Sequence, residues 1–148
     1  MPARLAATWQ LVVFGNDSDV VIDINGYFAP LSAGGLSLHT LMPCQFLDTR
    51  VVGGQFVGTR TTNVNTDGCS VPSTAQAFVL NATVVPPNGL GFLTLWPNQE
   101  AKPFVSTLNS DSSIASNMVV VPTLNGAVNA YASDPTQLIL DISAYFAL

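Results

Sequence analysis

Apolar and polar residues alternate along several short stretches of the chain, and Gly, Pro, Asn and Asp separate these stretches about every ten residues. In residues 20–28 the apolar side chains of Val20, Ile22, Ile24 and Phe28 fall on one face of an extended backbone. This pattern predicts a half-buried β-strand. Helical periodicity is hard to find anywhere in the chain.

Other stretches predict further strands. Residues 78–85 and 91–96 are rich in β-formers and are joined by Pro86-Pro87-Asn88-Gly89-Leu90, which indicates a hairpin with a longer loop. We expect additional strands at 104–108, 117–121, 126–132 and 137–146. The predicted fold class is therefore all-β, an antiparallel β-sandwich of the jelly-roll kind, with a small β-barrel as the alternative.

An internal repeat links the two ends of the chain. Residues 17–29 recur at 135–147, with an Asp, a Tyr and a Phe in the same register. We expect residues 1–30 to be the tail strands of a preceding repeat, packing on one complete β-sandwich repeat at 31–148 to give a single compact domain. The chain would then be a fragment of a longer tandem protein, with Met1 inside a repeat and any signal peptide further upstream. Exposed strand edges in such a tail favour a homo-oligomer.

Composition narrows the class of partner. The chain has 148 residues, of which 48% are hydrophobic and only 9% charged, against roughly 25% charged in a typical soluble domain. Four basic residues face nine acidic ones, so no basic cluster exists to bind nucleic acid. No apolar run approaches the roughly 20 residues of a membrane-spanning helix. Nothing in the sequence predicts a cofactor.

The only two cysteines, Cys44 and Cys69, flank a polar, turn-rich stretch. We expect a disulfide, which would contribute on the order of 3 kcal/mol by restricting the unfolded chain. Two cysteines and the single histidine cannot complete a tetrahedral zinc site, so no metal centre is predicted. No neighbouring base marks either thiol as a nucleophile.

Asp48 and Arg50 are two of the few charged residues and stand two positions apart. On a strand they would project to the same face, about 6.6 Å apart at their Cα atoms. A guanidinium could meet a carboxylate there, which favours a structural pair tying the loop after Cys44 to the sheet. The alternative is a ligand-binding or catalytic site.

Other side chains could carry chemistry. Any Ser-His-Asp site would have to use His39, the only histidine, and no nucleophile elbow accompanies it. We expect a loop histidine instead. Flat rings could stack on sugars, and the candidates are Trp9, Trp96, Tyr27, Tyr131 and Tyr145. Most of these rings fit core or cross-strand packing equally well.

Several segments resemble a family of repeats found in large secreted and cell-surface proteins of soil and environmental bacteria. The segments are Pro43-Cys44-Gln45-Phe46-Leu47-Asp48-Thr49-Arg50, Asn81-Ala82-Thr83-Val84, Gly91-Phe92-Leu93-Thr94-Leu95-Trp96-Pro97, Val105-Ser106-Thr107-Leu108-Asn109 and the two Asp-Ile-x-x-Tyr-Phe endings. They occur in the order PCR-x-x-DTR to D-[VI]-x-G-Y-F that is typical of the family. Two residues depart from it: Gln45 replaces an Arg, which removes a possible ion-pair partner for Asp48, and Ala144 replaces the glycine kept at Gly26.

The resemblance implies an extracellular or cell-surface location and modular construction, and it implies no established chemistry. We therefore expect a structural or adhesive repeat module with weak carbohydrate or surface binding, using Asp48, Arg50, Trp96, Tyr27 and Tyr145. The expected partner is a polysaccharide or another cell-surface ligand, without membrane insertion. The opposed hypothesis is a small secreted hydrolase acting on glycans or esters, with its site built from Asp48, Arg50, His39 and Glu100.

Overall fold

The computed structural model describes residues 10, 12–17, 19, 20, 22, 24, 26–30, 34–64 and 68–148. Its regular elements are all β-strands. They are β1 (Ser37–Asp48), β2 (Phe56–Asn63), β3 (Ala77–Val85), β4 (Leu90–Pro97), β5 (Leu108–Ser110), β6 (Ala115–Pro122) and β7 (Ala127–Ala147). The all-β prediction is confirmed. The described residues include no helix long and apolar enough to cross a membrane.

The long strand β7 organises the sheet, because four other strands pair with it. Its first half, to Thr136, pairs with β2 on one side and β4 on the other. Its second half, from Gln137, pairs with β1 on one side and with β3 on the other. We call the first half with its neighbours the lower sheet and the second half with its neighbours the upper sheet. All of these pairings are antiparallel.

The sheet is nearly closed into a barrel. β5 extends the lower sheet beyond β4, and β6 extends the upper sheet beyond β3. Across the remaining gap the Asn117 side chain of β6 donates a hydrogen bond to the carbonyl oxygen of Thr107, at 2.8 Å. The core fills the inside with side chains from both sheets that are almost wholly buried: Phe78, Leu80, Leu90, Leu93, Leu138, Leu140 and Ile142.

The predicted hairpin between 78–85 and 91–96 is wrong. Both segments are strands, β3 and β4, but β3 pairs with β6 and β7, whereas β4 pairs with β5 and β7. The Pro-Pro-Asn-Gly connection carries the chain from the upper sheet to the lower one. β3 and β4 do not pair with each other, because β7 is long enough to pair with each of them at a different part of its length.

Other strand boundaries also differ from prediction. The strand at 117–121 is confirmed within β6, while 126–132 and 137–146 are parts of the single strand β7. A strand at 104–108 is wrong, because only Leu108 of that range enters β5. The stretch between the cysteines contains β2. This strand was not predicted, because its Gly, Thr and Arg residues give no alternation of apolar and polar positions.

The half-buried strand predicted at 20–28 is also wrong for the residues that the structure describes. Val20, Ile22, Ile24 and 26–28 are outside any strand, and the four apolar side chains of the proposed buried face are 50–85% exposed. Asp23 and Asn25 lie outside the described residues. Two of these side chains approach the barrel: the Phe28 ring lies 6.1 Å from that of Phe146, and Ile24 borders the gap beside β6.

The predicted disulfide is confirmed. Cys44 of β1 is bonded to Cys69, with their Cα atoms 5.6 Å apart, and the described residues contain no free cysteine. The bond ties the segment after β2 to the middle of β1, so it closes a loop that contains the whole of β2.

Candidate functional site

Asp48 and Arg50 form the ion pair expected for a structural role. β1 ends at Asp48, and Arg50 lies in the turn that follows. The guanidinium binds the carboxylate through two nitrogens, with Nε 2.9 Å from Oδ1 and Nη2 2.7 Å from Oδ2. The Arg50 amide donates a third bond to Oδ1. These bonds from Arg50 hold the pKa of Asp48 below its ordinary value.

Between them, Thr49 points into the protein and is fully buried. Its hydroxyl donates to the Gln137 side chain at 2.6 Å and accepts from the Leu138 amide at 2.8 Å. Its amide donates to the Leu138 carbonyl at 3.0 Å. The Asp-Thr-Arg motif therefore fastens the end of β1 to β7, with the threonine inside and the ion pair outside.

Gln45 contacts Asp141 and not Asp48. It lies directly opposite Asp141 on β7, and its side-chain amide is 3.5 Å from a carboxylate oxygen of that residue. The ion-pair partner of Asp48 is Arg50, two residues further along the chain. A residue at position 45 is therefore placed to contact Asp141 and not Asp48.

The four residues of the hydrolase hypothesis lie at three separate places beside β7. His39 is opposite Tyr145, and Asp48 is opposite Ile139, six positions or about 20 Å along the strand. Glu100 follows β4, whose last residue is opposite Val128. Of these four residues the structure brings together only Asp48 and Arg50, and their charged groups bind each other.

The expectation of a loop histidine is wrong, because His39 lies on β1 and packs against an aromatic ring. His39 and Tyr145 stack with ring centroids 5.0 Å apart and an interplanar angle of 13°. The Nε2 atom of His39 is buried and has no hydrogen-bond partner among the described residues.

The remaining aromatic candidates differ in exposure. Trp96 is buried, and its indole nitrogen donates to the Glu100 carbonyl at 2.9 Å. Tyr27 is 90% exposed. Trp9 lies outside the described residues. Of the candidates that the structure describes on the sheet, Tyr131 has the surroundings best suited to a ligand.

Tyr131 belongs to an aromatic pair on the outer face of the lower sheet. Its ring stacks on that of Phe92, with centroids 5.6 Å apart and planes 28° from parallel. The ammonium group of Lys102 lies 4.9 Å from the Tyr131 centroid and 5.4 Å from that of Phe92. Both rings are partly exposed and Lys102 is exposed. We call these three residues the aromatic platform.

The strand register explains why the platform faces outward. Tyr131 stands between Thr59 of β2 and Thr94 of β4, on the side of the sheet opposite the core residues Leu93 and Ala132. Thr94 is itself buried, and its hydroxyl donates to the Val105 carbonyl in the segment after β4. Thr59 is exposed beside the tyrosine. An apolar ring surface is thus bordered by a hydroxyl and an ammonium group.

The segment that carries Lys102 is pinned to the sheet. The Trp96 indole binds the Glu100 carbonyl at one end, and the Thr94 hydroxyl donates to the Val105 carbonyl at 2.7 Å at the other. These two hydrogen bonds hold the backbone near Lys102 in place, and the Lys102 side chain extends from it over the two rings. The sequence signal for this site was the Gly-Phe-Leu-Thr-Leu-Trp segment, but nothing in it showed that Phe92 would meet Tyr131, 39 positions later.

A groove of about 390 Å³ lies between β6 and β4, the strand that carries Phe92. The residues that border it include Leu95, Trp96, Val105 and Val121, the polar Thr107 and Asn117, and Ile24 of the opening segment. It marks the place where the barrel stays open.

The comparisons with known proteins add no relative. No protein-family model matches the chain, and neither the curated proteins nor the solved structures gave a significant match.

Proposed function

We propose that the chain is a structural and adhesive module of an extracellular or cell-surface protein, and that it binds saccharides weakly through the aromatic platform. The observation that carries this proposal is the stacked pair of Phe92 and Tyr131 on the outside of the sheet, with Lys102 above both rings. The motifs that resemble the bacterial surface repeats support the location and the modular construction.

The disulfide supports an oxidising compartment, since such bonds persist in secreted and surface proteins and are rare in the cytosol. A surface with few charges and many Thr, Asn and Ser side chains is suited to contact with neutral, hydroxyl-rich polymers. With 9% charged residues, long-range electrostatic attraction contributes little, so binding depends on short-range stacking and hydrogen bonds.

The platform supplies both. The faces of pyranose rings carry C–H groups that pack on an aromatic ring, and stacking of this kind needs a flat, partly exposed ring held in place. Tyr131 is held by its neighbours on β2 and β4. Sugar hydroxyls then lie within reach of the Lys102 ammonium group and the Thr59 hydroxyl.

Affinity electrophoresis of the whole chain through gels containing single polysaccharides tests the proposal. We expect retardation by at least one bacterial or plant polysaccharide, and loss of retardation in Tyr131→Ala. Phe14→Ala is the matched control, because its ring is exposed and lies in none of the described aromatic contacts.

Retention of binding by Tyr131→Ala would contradict the platform, as would the absence of retardation by every polysaccharide. Release of reducing ends from the same polymers would favour the hydrolase over the adhesive module. The folded state of each variant is checked by its near-ultraviolet circular dichroism.

A further inference from the structure

The described residues contain two complete Asn-Gly pairs, and their surroundings differ. Asn88-Gly89 belongs to the connection between β3 and β4, and Asn125-Gly126 lies in the turn between β6 and β7. A third pair, Asn25-Gly26, has its asparagine outside the described residues. An asparagine side chain reacts most readily with the backbone when glycine follows it, because glycine has no side chain to hinder the ring closure. The sequence makes the two described pairs equal in this respect, and the structure distinguishes them.

The reaction is deamidation. The backbone nitrogen of the glycine loses its proton and attacks the side-chain carbonyl carbon, Cγ, of the asparagine. A C–N bond forms, the side-chain nitrogen leaves as ammonia, and the product is a cyclic succinimide. Water then opens the ring at either of its carbonyl groups, which gives aspartate or isoaspartate. The reaction therefore requires only water and a glycine nitrogen that solvent can reach and that is free to turn toward Cγ.

The fold holds the Asn125-Gly126 pair in place at both residues. Gly126 is buried, and its amide donates a hydrogen bond to the buried Thr123 hydroxyl at 2.9 Å. Its carbonyl oxygen accepts from the Val64 amide at 2.8 Å. The Asn125 side chain is held as well, since its Oδ1 accepts from the Ala127 amide at 3.1 Å. Attack by the Gly126 nitrogen therefore requires this turn to open first, which adds the free energy of local opening to the barrier.

The Asn88-Gly89 pair is open to solvent. Pro87, Asn88 and Gly89 are all exposed, whereas Pro86 before them and Leu90 after them are buried. The exposed part of the connection thus lies between two positions that are fixed in the barrel. Water can reach both the Gly89 nitrogen and the Asn88 side chain without any opening of the sheet.

We propose that Asn88 is a site of spontaneous deamidation in the folded protein and that the fold protects Asn125 from the same reaction. The product places a new carboxylate on the β3–β4 connection, in a chain that already has nine acidic residues against four basic ones. The isoaspartate form also lengthens the backbone just before β4 begins at Leu90. The charge and geometry of this connection therefore change as the protein ages. This inference is independent of saccharide binding.

Peptide mapping by mass spectrometry tests the proposal on the whole chain. The folded protein is incubated in mildly alkaline buffer made with ¹⁸O-labelled water and is then digested in ordinary water, so that only deamidation during the incubation introduces the label. We expect Asn88 to convert at least about tenfold faster than Asn125, because only the second reaction needs local opening. Position 88 should contain both aspartate and isoaspartate.

The unfolded chain provides the reference for both pairs. In concentrated urea with the disulfide reduced, the turn between β6 and β7 no longer protects Asn125. We expect the two asparagines to convert at rates that differ by less than about threefold under these conditions. A difference in the folded protein that persists in urea would assign it to the neighbouring sequence and overturn the structural protection.

Two variants test the chemistry at the exposed pair. Asn88→Gln keeps a side-chain amide but closes a ring much less readily, so position 88 should take up almost no label. Gly89→Ala should slow the conversion of Asn88 severalfold, because its methyl group hinders the attacking nitrogen. The fold tolerates this alanine, since Gly89 has no left-handed φ and an added Cβ would meet only the Ser110 carbonyl oxygen, at 3.9 Å. An unchanged rate in Gly89→Ala would overturn the succinimide route.

Thr123→Val tests the protection of the other pair. It removes the hydroxyl that accepts from the Gly126 amide, so we expect Asn125 to convert severalfold faster and Asn88 to convert at its former rate. Near-ultraviolet circular dichroism checks that the variant is folded. Conversion of Asn125 as fast as Asn88 in the unmodified folded chain would overturn the proposal. An Asn88 that reacts in urea and stays intact in the folded chain would overturn it equally.

Discussion

Thr49 and Leu138 exchange hydrogen bonds through both backbone and side chain at the point where β1 leaves the barrel. The Thr49 amide donates to the Leu138 carbonyl, and the Leu138 amide donates to the Thr49 hydroxyl. A side chain thus replaces the next backbone partner that β1 would have supplied. This explains why a buried threonine stands between two charged residues in the Asp-Thr-Arg motif.

Thr49→Val removes this hydroxyl and leaves the Leu138 amide unsatisfied. We expect the free energy of unfolding to fall by about 1–3 kcal/mol, the usual cost of an unpaired buried donor. Urea unfolding followed by fluorescence measures it. Thr59→Val is the control, because Thr59 is exposed on a strand and its loss should change stability by less than about 0.5 kcal/mol. Equal effects in the two variants would show that the burial of Thr49 is unimportant.

Arg50→Gln should raise the pKa of Asp48 toward its ordinary value, since the hydrogen bonds from Arg50 are the main cause of the lowered pKa. A lowered folded-state pKa adds stability above the unfolded pKa, and this stability is lost as the pH falls through the folded value. The contribution is therefore lost only below about pH 3.8. A ¹³C-detected titration of the carboxyl groups follows it.

Asp134 is the internal reference in that titration. The Ser133 hydroxyl and then the Gly91 amide keep its pKa low, and neither contact involves Arg50. Its titration should be the same in both proteins. A pKa of Asp48 that does not rise in Arg50→Gln would contradict the bidentate pair.

Gln45→Arg should create a cross-strand ion pair with Asp141, which stands directly opposite. The gain in unfolding free energy should be at most about 1 kcal/mol, because the pair is on the surface. Salt at 1 M should remove most of it. Thermal unfolding at low and high salt provides the measurement, and the gain should vanish when Asp141→Asn is also present. A gain that persists in the double variant would assign it to another contact.

Reduction of the disulfide should lower the free energy of unfolding by about 3 kcal/mol, as expected for closure of a loop with a sequence separation of 25. The double variant Cys44→Ser, Cys69→Ser should show the same loss without reductant. Mass analysis of the non-reduced protein should find no free thiol. Unchanged stability after reduction would mean that β2 is held by its pairing with β7 alone.

Sequence patterns located β3, β4 and β6 well because each has a run of apolar residues with turn residues nearby. They failed for β1, which no predicted strand covered, and for β2, whose Gly58 and three threonines give no apolar stripe. They also predicted a buried strand around Ile22 that the structure does not show among the described residues. Periodicity indicates a residue's fit to a strand, while burial requires a partner surface that the pattern does not contain.

The candidate sites show the same division. Cys44 and Cys69 could be paired from sequence because the chain offers no other cysteine. The aromatic platform could not be predicted from sequence, because Phe92, Lys102 and Tyr131 belong to segments that meet only through the register of β4 on β7.

By itself, the sequence determined that the chain forms β-strands separated by turns, that its two cysteines join each other, and that it carries few charges. Strand propensity and turn residues act between residues close in the chain, and a composition with only two cysteines leaves each of them one possible partner. Only the tertiary structure decided that β7 is one strand with four partners, and which side chains share a face. Strand pairing depends on hydrogen bonds between distant segments, so a register, and every contact built on it, exists only once the sheet has formed.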